Sequence, residues 1–174
     1  GSLTINDGGK VTNTGLGIIG DRAGSSGIAM VSTGGLWDIT QSLFVGRYGT
    51  GMLTISEGGV VNSATMNTAT GEIGMDTGTT GIVKVSDVGS QWNNYGDLVV
   101  GSSGNGRLTI SEGGVVNNAK DIYIGRYAAG SGLVEVSDSG SQLNSTKNLY
   151  VGNSANGELN IDHGGVVSNI RAYI

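Results

Sequence analysis

Acidic side chains recur at one position of a repeated motif, close to glycine. The column reads Asp7, Thr33, Glu57, Asp87, Glu112, Asp138 and His163. Carboxylates stacked about 5 Å apart repel one another and could be bridged by Ca²⁺, and carboxyl pairs about 5–9 Å apart could catalyse glycoside hydrolysis. The calcium-binding nonapeptide pattern GGxGxDxUx is missing, however, and an active site would form one irregular cluster. The column therefore indicates a solvated acidic ridge, and we predict no enzymatic activity, no metal and no cofactor.

Two other features could suggest chemistry. His163 is the single histidine, and because it occupies the acidic position we expect it to be exposed and inert; no Ser-His-Asp triad or zinc site can be built around it. The segment Gly15–Gly20 matches GxGxxG, but dinucleotide binding requires a strand before this motif and a helix after it. The match falls on a predicted strand of a glycine-rich repeat, which favours a structural role.

These residues belong to a chain built of repeats. The motif LTISEGG occurs twice, related versions occur twice more, and a looser version ending in TGG or in GS separates them. The copies start at Leu3, Leu53, Leu108 and Leu159, and the looser copies at Met30, Val85 and Val136. Self-similarity with a period of about 20–50 residues is typical of solenoids. We predict an all-β fold, a parallel β-solenoid of about seven coils with about 25 residues and three short strands each. It spans residues 1–174 as one fragment of a longer protein.

Each predicted coil has apolar columns that alternate with variable polar ones, as half-buried strands require. The first strand contributes inward columns from Leu3 to Leu159 and from Ile5 to Ile161. At the corner that follows we expect glycine at positive φ, where it is the best-tolerated residue. These corner glycines are Gly9, Gly35, Gly59, Gly89, Gly114, Gly140 and Gly165. The pattern predicts two alternating kinds of coil, and a loop that bulges outward at Ser63–Thr70.

Composition excludes several classes of function. The net charge of −5 with 9 Lys and Arg does not favour nucleic acid, which needs clustered basic residues. No apolar run approaches the about 18 residues that would span a membrane. The absence of cysteine excludes disulfides and thiol chemistry.

The repeats resemble those of bacterial autotransporter (type V secretion) passengers and of some PEP-CTERM-associated surface proteins. The resemblance rests on the alternation of GxLTISEGGVVN with GxVxVSDxGSQWN and LxVG, at Gly51–Asn62, Gly81–Gly101, Gly106–Gly125 and Gly132–Gly152. It covers essentially the whole chain. It implies a right-handed parallel β-helix of an adhesin, displayed on a Gram-negative cell by a C-terminal outer-membrane β-barrel outside this chain.

The outward column of the third strand is the candidate interaction surface. It reads Ile18, Phe44, Glu72, Val99, Tyr123, Tyr150 and Tyr173, and its edge carries Arg47, Tyr48, Arg126 and Tyr127. Exposed apolar patches mark interaction sites, and tyrosine and arginine are enriched in binding hot spots; the column could equally pack under loops. We predict adhesion or self-association (cell aggregation, biofilm) through contacts with protein or glycan on a host or neighbouring cell. The alternatives are a passive stalk and, less favoured, a polysaccharide-active enzyme.

Overall fold

Stacked coils of three strands build the whole molecule. The computed structural model describes all residues from Gly1 to Ile174, with 21 strands and no helix. Coils 1 and 2 contain β1 (Ser2–Ile5), β2 (Lys10–Asn13), β3 (Gly17–Ile19), β4 (Ser26–Val31), β5 (Leu36–Ile39) and β6 (Leu43–Val45). Coils 3 and 4 contain β7 (Thr50–Ile55), β8 (Val60–Ser63), β9 (Thr70–Ile73), β10 (Thr80–Ser86), β11 (Gln91–Asn94) and β12 (Asp97–Val100). Coils 5 to 7 contain β13 (Asn105–Ser111), β14 (Val115–Asn118), β15 (Ile122–Ile124), β16 (Ser131–Val136), β17 (Gln142–Ser145), β18 (Asn148–Val151), β19 (Asn156–Ile161), β20 (Val166–Ser168) and β21 (Arg171–Tyr173).

The strands form three seven-stranded parallel sheets, one for each strand position in the coil. Sheet A contains the first strands, sheet B the second and sheet C the third, always in coil order. Pairing is in register, so Gly81 lies between Gly51 and Gly106. The predicted parallel β-solenoid of seven coils is therefore confirmed. The structure contains no helix that could cross a membrane.

The core follows from the predicted alternation of side chains. A single cluster of 26 buried hydrophobic residues runs through the coils. Trp92 lies within it, and its indole Nε1 donates a hydrogen bond of 2.9 Å to Ser63 Oγ, so the ring is buried without an unpaired donor. In the end coils Leu3 and Leu159 are only partly buried, since each has a neighbouring coil on one side only. Burial is therefore a product of stacking rather than of any one coil.

The corner after the first strand takes two forms. In the double-glycine corner, two consecutive residues such as Glu57 and Gly58 have positive φ, and Gly59 N donates to Ser56 O over 2.9 Å, as in a type I′ turn. In the Asp-x-Gly corner, Asp87 and Gly89 have positive φ. Coil 2 has Thr33 and Gly34 at φ 49° and 71° and so has a double-glycine corner. Strict alternation of the two forms therefore begins only at coil 3, which corrects the sequence prediction.

The glycine that the sequence assigns to positive φ is correct at Gly89 and Gly140 but wrong in the five double-glycine corners. There the preceding glycine has positive φ, and the second glycine is required by close packing. A Cβ on Gly59 would overlap the carbonyl oxygen of Val31 in the coil beneath. Register with the neighbouring coil therefore selects this glycine, and φ selects the one before it.

The loop predicted at Ser63–Thr70 is confirmed, although Ser63 and Thr70 themselves belong to the flanking strands. Strand β8 ends at Ser63 and β9 begins at Thr70, and the residues numbered 65–68 are exposed. Lys120 Nζ, two coils away, donates to the carbonyl oxygen of Asn67. The bulge therefore lies against the outside of the following coils without interrupting the sheets.

Two substitutions distinguish the cost of a steric clash between coils from the cost of placing a side chain at positive φ. Gly101 and Gly78 have φ of 73° and 78°, but a Cβ on Gly101 would overlap Ser131 O, whereas a Cβ on Gly78 would meet nothing within 4 Å. Gly78→Ala should cost roughly 1–2 kcal/mol of unfolding free energy for its left-handed backbone. Gly101→Ala should cost about 1–3 kcal/mol more because the coils must separate. Urea unfolding measures both; equal losses would show that the clash does not matter.

Candidate interaction surface

The predicted outward column of sheet C is an in-register row of side chains. Strand pairing places one member in each coil, in the order Ile18, Phe44, Glu72, Val99, Tyr123, Tyr150 and Tyr173. Neighbouring members therefore stand one strand spacing apart, close enough for direct contact. The sequence alternation located this row correctly.

The sequence predicts that this row is exposed along its whole length, and the structure shows that this is wrong for two of its members. Phe44 is only 8% exposed and Val99 is fully buried at 0%. The short side chain of Val99 stands between the longer ones of Glu72 and Tyr123, which shield it. The guanidinium of Arg47 lies 5.4 Å from the ring centroid of Phe44 and covers it. Ile18, Glu72, Tyr123 and Tyr150 are half-buried, and Tyr173, at the open end of the stack, is exposed at 45%.

Three tyrosines form a continuous stack over coils 5 to 7. The rings of Tyr123 and Tyr150, and those of Tyr150 and Tyr173, have centroids 4.8 Å apart and planes within 7° of parallel. Such aromatic pairs contribute about 0.5–1.5 kcal/mol each beyond their buried area. The stack presents a row of hydroxyl groups on a rigid apolar strip.

Arginine lies between two aromatic rings at two places along this edge. Arg126 Cζ is 4.3 Å from the centroid of Tyr123 and 5.2 Å from that of Tyr127. Arg47 repeats the arrangement in coil 2, at 4.8 Å from Tyr48 and 5.4 Å from Phe44. The interaction is a cation–π contact, worth about 0.5–1 kcal/mol at exposed sites.

The two arginine clusters differ in their polar partners. Arg47 Nη1 lies 3.5 Å from Asp21 Oδ1, and its Nε is buried without a hydrogen-bond partner. Arg126 has no carboxylate partner. Each cluster keeps one ring accessible, since Tyr48 is 43% and Tyr127 is 51% exposed. Together with the tyrosine stack they form what we call the aromatic edge, defined by Arg47, Tyr48, Tyr123, Arg126, Tyr127, Tyr150 and Tyr173.

Two carboxylates influence the tyrosine stack. Burial raises the pKa of Tyr123 above its ordinary value of 10.0, and the negative charges of Asp121 and Asp97 raise it further, while Arg126 lowers it. Asp121 Oδ1 accepts a hydrogen bond of 2.9 Å from Asn148 N, and Asp97 Oδ1 accepts one of 3.3 Å from Asp121 N. Asp121 is thereby fixed directly before β15, which carries Tyr123, and Asp97 is fixed at the start of β12, the neighbouring strand.

The acidic column lies at the corner between sheets A and B, and two of its members cap backbone. Asp87 Oδ2 accepts a hydrogen bond of 3.2 Å from Glu57 N in the coil beneath, and Ser90 Oγ accepts one of 3.0 Å from Gly58 N. Asp138 and Ser141 do the same two coils later. The Asp-x-Gly corners of coils 4 and 6 therefore each satisfy two N–H donors of the double-glycine corner in the coil beneath.

The other residues with chemical potential have structural positions. No group of three or more His, Cys, Asp or Glu side chains that could hold a metal ion occurs in the chain. His163 is exposed, as predicted; its Nδ1 lies 3.0 Å from Asp162 Oδ1, and the hydrogen bond to this carboxylate raises the pKa of His163 above 6.5. The segment Gly15–Gly20 contains β3 and no helix follows it, so it lacks the helix N-terminus that binds a dinucleotide.

Sequence reasoning missed two outward features. On sheet A, Ile28 and Met52, each directly after the repeated glycine, form an exposed aliphatic group with Met30, which the alternation of the first strand had placed outward. On sheet B, an asparagine follows the buried Val, Trp or Leu of the second strand in coils 3 to 6, and these asparagines form a hydrogen-bonded row. Asn144, Asn117, Asn93 and Asn62 each donate to the next residue of the row at 2.7–3.1 Å, and the last acceptor is Asp38.

Comparison with known proteins adds one relative. The chain is 35% identical over 134 residues to the uncharacterized lipoprotein YdeK of Escherichia coli (strain K12). The matched region is 74% of this chain and 10% of YdeK, so the chain spans about a tenth of the length of that relative. No protein-family model matches the chain, and no solved structure matches it.

The capping function of Asp87 can be tested by substitution. Asp87→Ala leaves Glu57 N without its acceptor and should lower the unfolding free energy by about 1 kcal/mol, as at helix caps. Asp87→Asn keeps an acceptor oxygen and tolerance of positive φ, and should retain most of the stability. Glu57→Ala, at another exposed positive-φ position, should change it by less than about 0.5 kcal/mol. A loss of equal size in all three variants would contradict the assignment.

The raised pKa of Tyr123 predicts a specific alkaline response. A raised folded-state pKa contributes stability that is complete below the unfolded value near 10.0 and is lost as pH rises through the folded pKa. Tyr123→Phe should therefore remove one phenolate absorbance step above pH 10 and reduce the loss of stability in that range. Asp121→Asn should lower the pKa of Tyr123. An unchanged phenolate titration in both variants would refute the environment described for Tyr123.

Proposed function

We propose that this chain is part of an adhesin-like protein on the cell surface, and that it binds a partner surface through the aromatic edge. One observation carries the proposal: two arginine–tyrosine clusters and a three-tyrosine stack share one face of a rigid solenoid. Tyrosine and arginine are enriched in binding hot spots, and tyrosine buries a large area at low entropic cost.

The cellular location is argued from the fold and the relative. The β-solenoid and the similarity to a lipoprotein are compatible with a structural protein of the cell envelope. The resemblance of GxLTISEGGVVN to autotransporter passenger repeats supports the finer proposal, display on the surface of a Gram-negative cell. An extended rigid body suits that position because it carries a binding face away from the membrane.

The mechanism we propose uses several weak contacts on one rigid face. Each exposed tyrosine of the edge is held by stacking or by an arginine, so it loses little rotamer freedom on binding. Chains displayed on opposite surfaces engage many times at once, and avidity raises the overall affinity without one strong site. The partner in this proposal is a protein or glycan of a neighbouring or host cell, with a second copy of the chain as one such partner.

We propose a role without catalysis. Asp87 and Asp138, two members of the acidic column, accept hydrogen bonds from backbone N–H groups. Carboxylates held in this way stabilise the corners and are not paired across a substrate cleft, as glycoside hydrolysis would require.

Display on Gram-negative cells tests the aromatic edge. Cells that display residues 1–174 on an outer-membrane anchor should aggregate or adhere to host cells, and added soluble chain should compete. Tyr123→Ser combined with Tyr150→Ser should weaken soluble-chain binding at least about tenfold, since hot-spot residues each contribute about 2 kcal/mol.

The matched control removes apolar groups from another sheet. Met30→Ser combined with Met52→Ser changes two exposed side chains of sheet A and should leave binding within about twofold. Circular dichroism and urea unfolding establish that both variants are folded. Unchanged binding by a folded Tyr123/Tyr150 variant would refute the surface; failure of the wild-type chain to bind cells, matrix proteins, glycans or itself would favour a passive stalk.

A further inference from the structure

The asparagine row on sheet B is a continuous hydrogen-bonded ladder with one direction. Ser168 Oγ donates to Asn144 Oδ1, and the four asparagine Nδ2 groups then donate in turn until Asn62 reaches Asp38 Oδ1. A carboxylate can only accept, so Asp38 forces Asn62 to present its Nδ2, and this orientation is passed along the row. Lys10 Nζ, 2.8 Å from Asp38 Oδ2, balances the charge, and both partners lower the pKa of Asp38.

A groove of about 210 Å³ opens beside this ladder in coils 4 to 6. The residues that follow β11, β14 and β17 are Tyr95, Ala119 and Thr146, one per coil. Ala119 is much shorter than its two neighbours, so it forms a notch with the Tyr95 ring on one side and Thr146 on the other. Tyr95 is 49% exposed and therefore available to a ligand.

The floor of the groove is rigid. Asn94 Nδ2 donates to Asn118 Oδ1 over 2.7 Å, and Asn118 Nδ2 donates to the carbonyl oxygens of Lys120 and Asp121. Both asparagines are buried, and their bonds fix the corner that presents Tyr95 and Ala119. A ligand therefore meets a pre-organised surface and orders few side chains on binding.

The free polar groups of the groove have the pattern that hydroxyl groups require. Asn93 and Asn117 each use one N–H and one lone pair of Oδ1 in the ladder. A side-chain amide has two N–H groups and two lone pairs, so each keeps one donor and one acceptor. This pair recurs every strand spacing, about 4.8 Å. The hydroxyl groups of a sugar ring, each both donor and acceptor, can bond such a series of donors and acceptors.

We propose that this groove binds a neutral pyranose unit of a glycan. The apolar face of the ring stacks on Tyr95, its edge enters the notch at Ala119, and its hydroxyl groups bond the amides of Asn93 and Asn117. None of the residues that line the groove is charged, which favours a neutral sugar over an anionic one. The volume is below the about 300–1,000 Å³ of drug-sized pockets and suits one sugar ring.

The site goes beyond the proposed function, since it lies on sheet B and the corner that follows it, whereas the aromatic edge lies on sheet C and the corner after that sheet. Its binding is measured on the isolated chain and needs no cell contact. The probes are cellobiose, lactose, mannobiose and chitobiose, each titrated into labelled protein while the side-chain amide signals of Asn93 and Asn117 are followed by NMR. At least one disaccharide should shift these signals with a Kd of about 1 mM, typical of a small, solvent-open site with few contacts.

Three variants locate the site. Tyr95→Ala should weaken binding at least tenfold, and Ala119→Leu should abolish it by filling the notch. Tyr127→Ala removes an equally exposed tyrosine from the aromatic edge and should leave the Kd unchanged. The Tyr123/Tyr150 variant should also bind sugar normally, so loss of adhesion and loss of glycan binding are separate outcomes. Absence of shifts with all four disaccharides at roughly ten times that Kd, or binding that survives Ala119→Leu in the folded protein, would overturn the proposal.

Discussion

The structure depends on in-register pairing of each coil with the next. Because strand residues pair one to one across all three sheets, the nearest neighbours of a side chain are the same column members in adjacent coils. A side chain must therefore be compatible with a copy of itself about 4.8 Å away. Aliphatic groups, glycine, amides and aromatic rings meet this condition, while like charges directly opposite are destabilising. Only 13% of the residues are charged, which is what this requirement selects.

The same in-register pairing gives the hydrogen bonds between stacked polar side chains one direction along the solenoid. An amide can donate upward or downward with equal ease, so four stacked asparagines have two equivalent orientations until an end decides between them. Asp38 decides because it cannot donate, and Lys10 stabilises its charge. At the corners a similar rule operates between neighbours: the coil with a double-glycine corner presents two N–H groups, and the coil above supplies Asp87 and Ser90.

The sequence was sufficient for what repeats in every coil and insufficient for what differs between neighbours. The apolar columns, the number of coils and the bulge after Ser63 follow from period and alternation alone. The burial of Val99 did not, because its cover depends on the unlike residues Glu72 and Tyr123 in adjacent coils. Coil 2 was grouped with the looser copies, although its corner sequence, STGG, has the two consecutive glycines of the double-glycine corner that its backbone adopts. Likewise, Arg47-Tyr48 and Arg126-Tyr127 were visible as dipeptides. The position of Arg47 over the Phe44 ring and of Arg126 over the Tyr123 ring was not, because it depends on the corner that separates each ring from its arginine.

In-register stacking also explains why runs of one outward residue type occupy short stretches of each face. Core columns and corner glycines are fixed by packing, so only outward columns can vary, and in them a run of one residue type is short. Sheet C has three tyrosines in coils 5 to 7, and sheet B has its consecutive asparagines in coils 3 to 6. A ladder of one residue type gains stability with each added copy and forms an even surface, whereas a groove needs a break in the ladder. Ala119 between Tyr95 and Thr146 is such a break, because a column of three large side chains would have left no notch. Local departures from the repeat are therefore where this fold makes room for ligands.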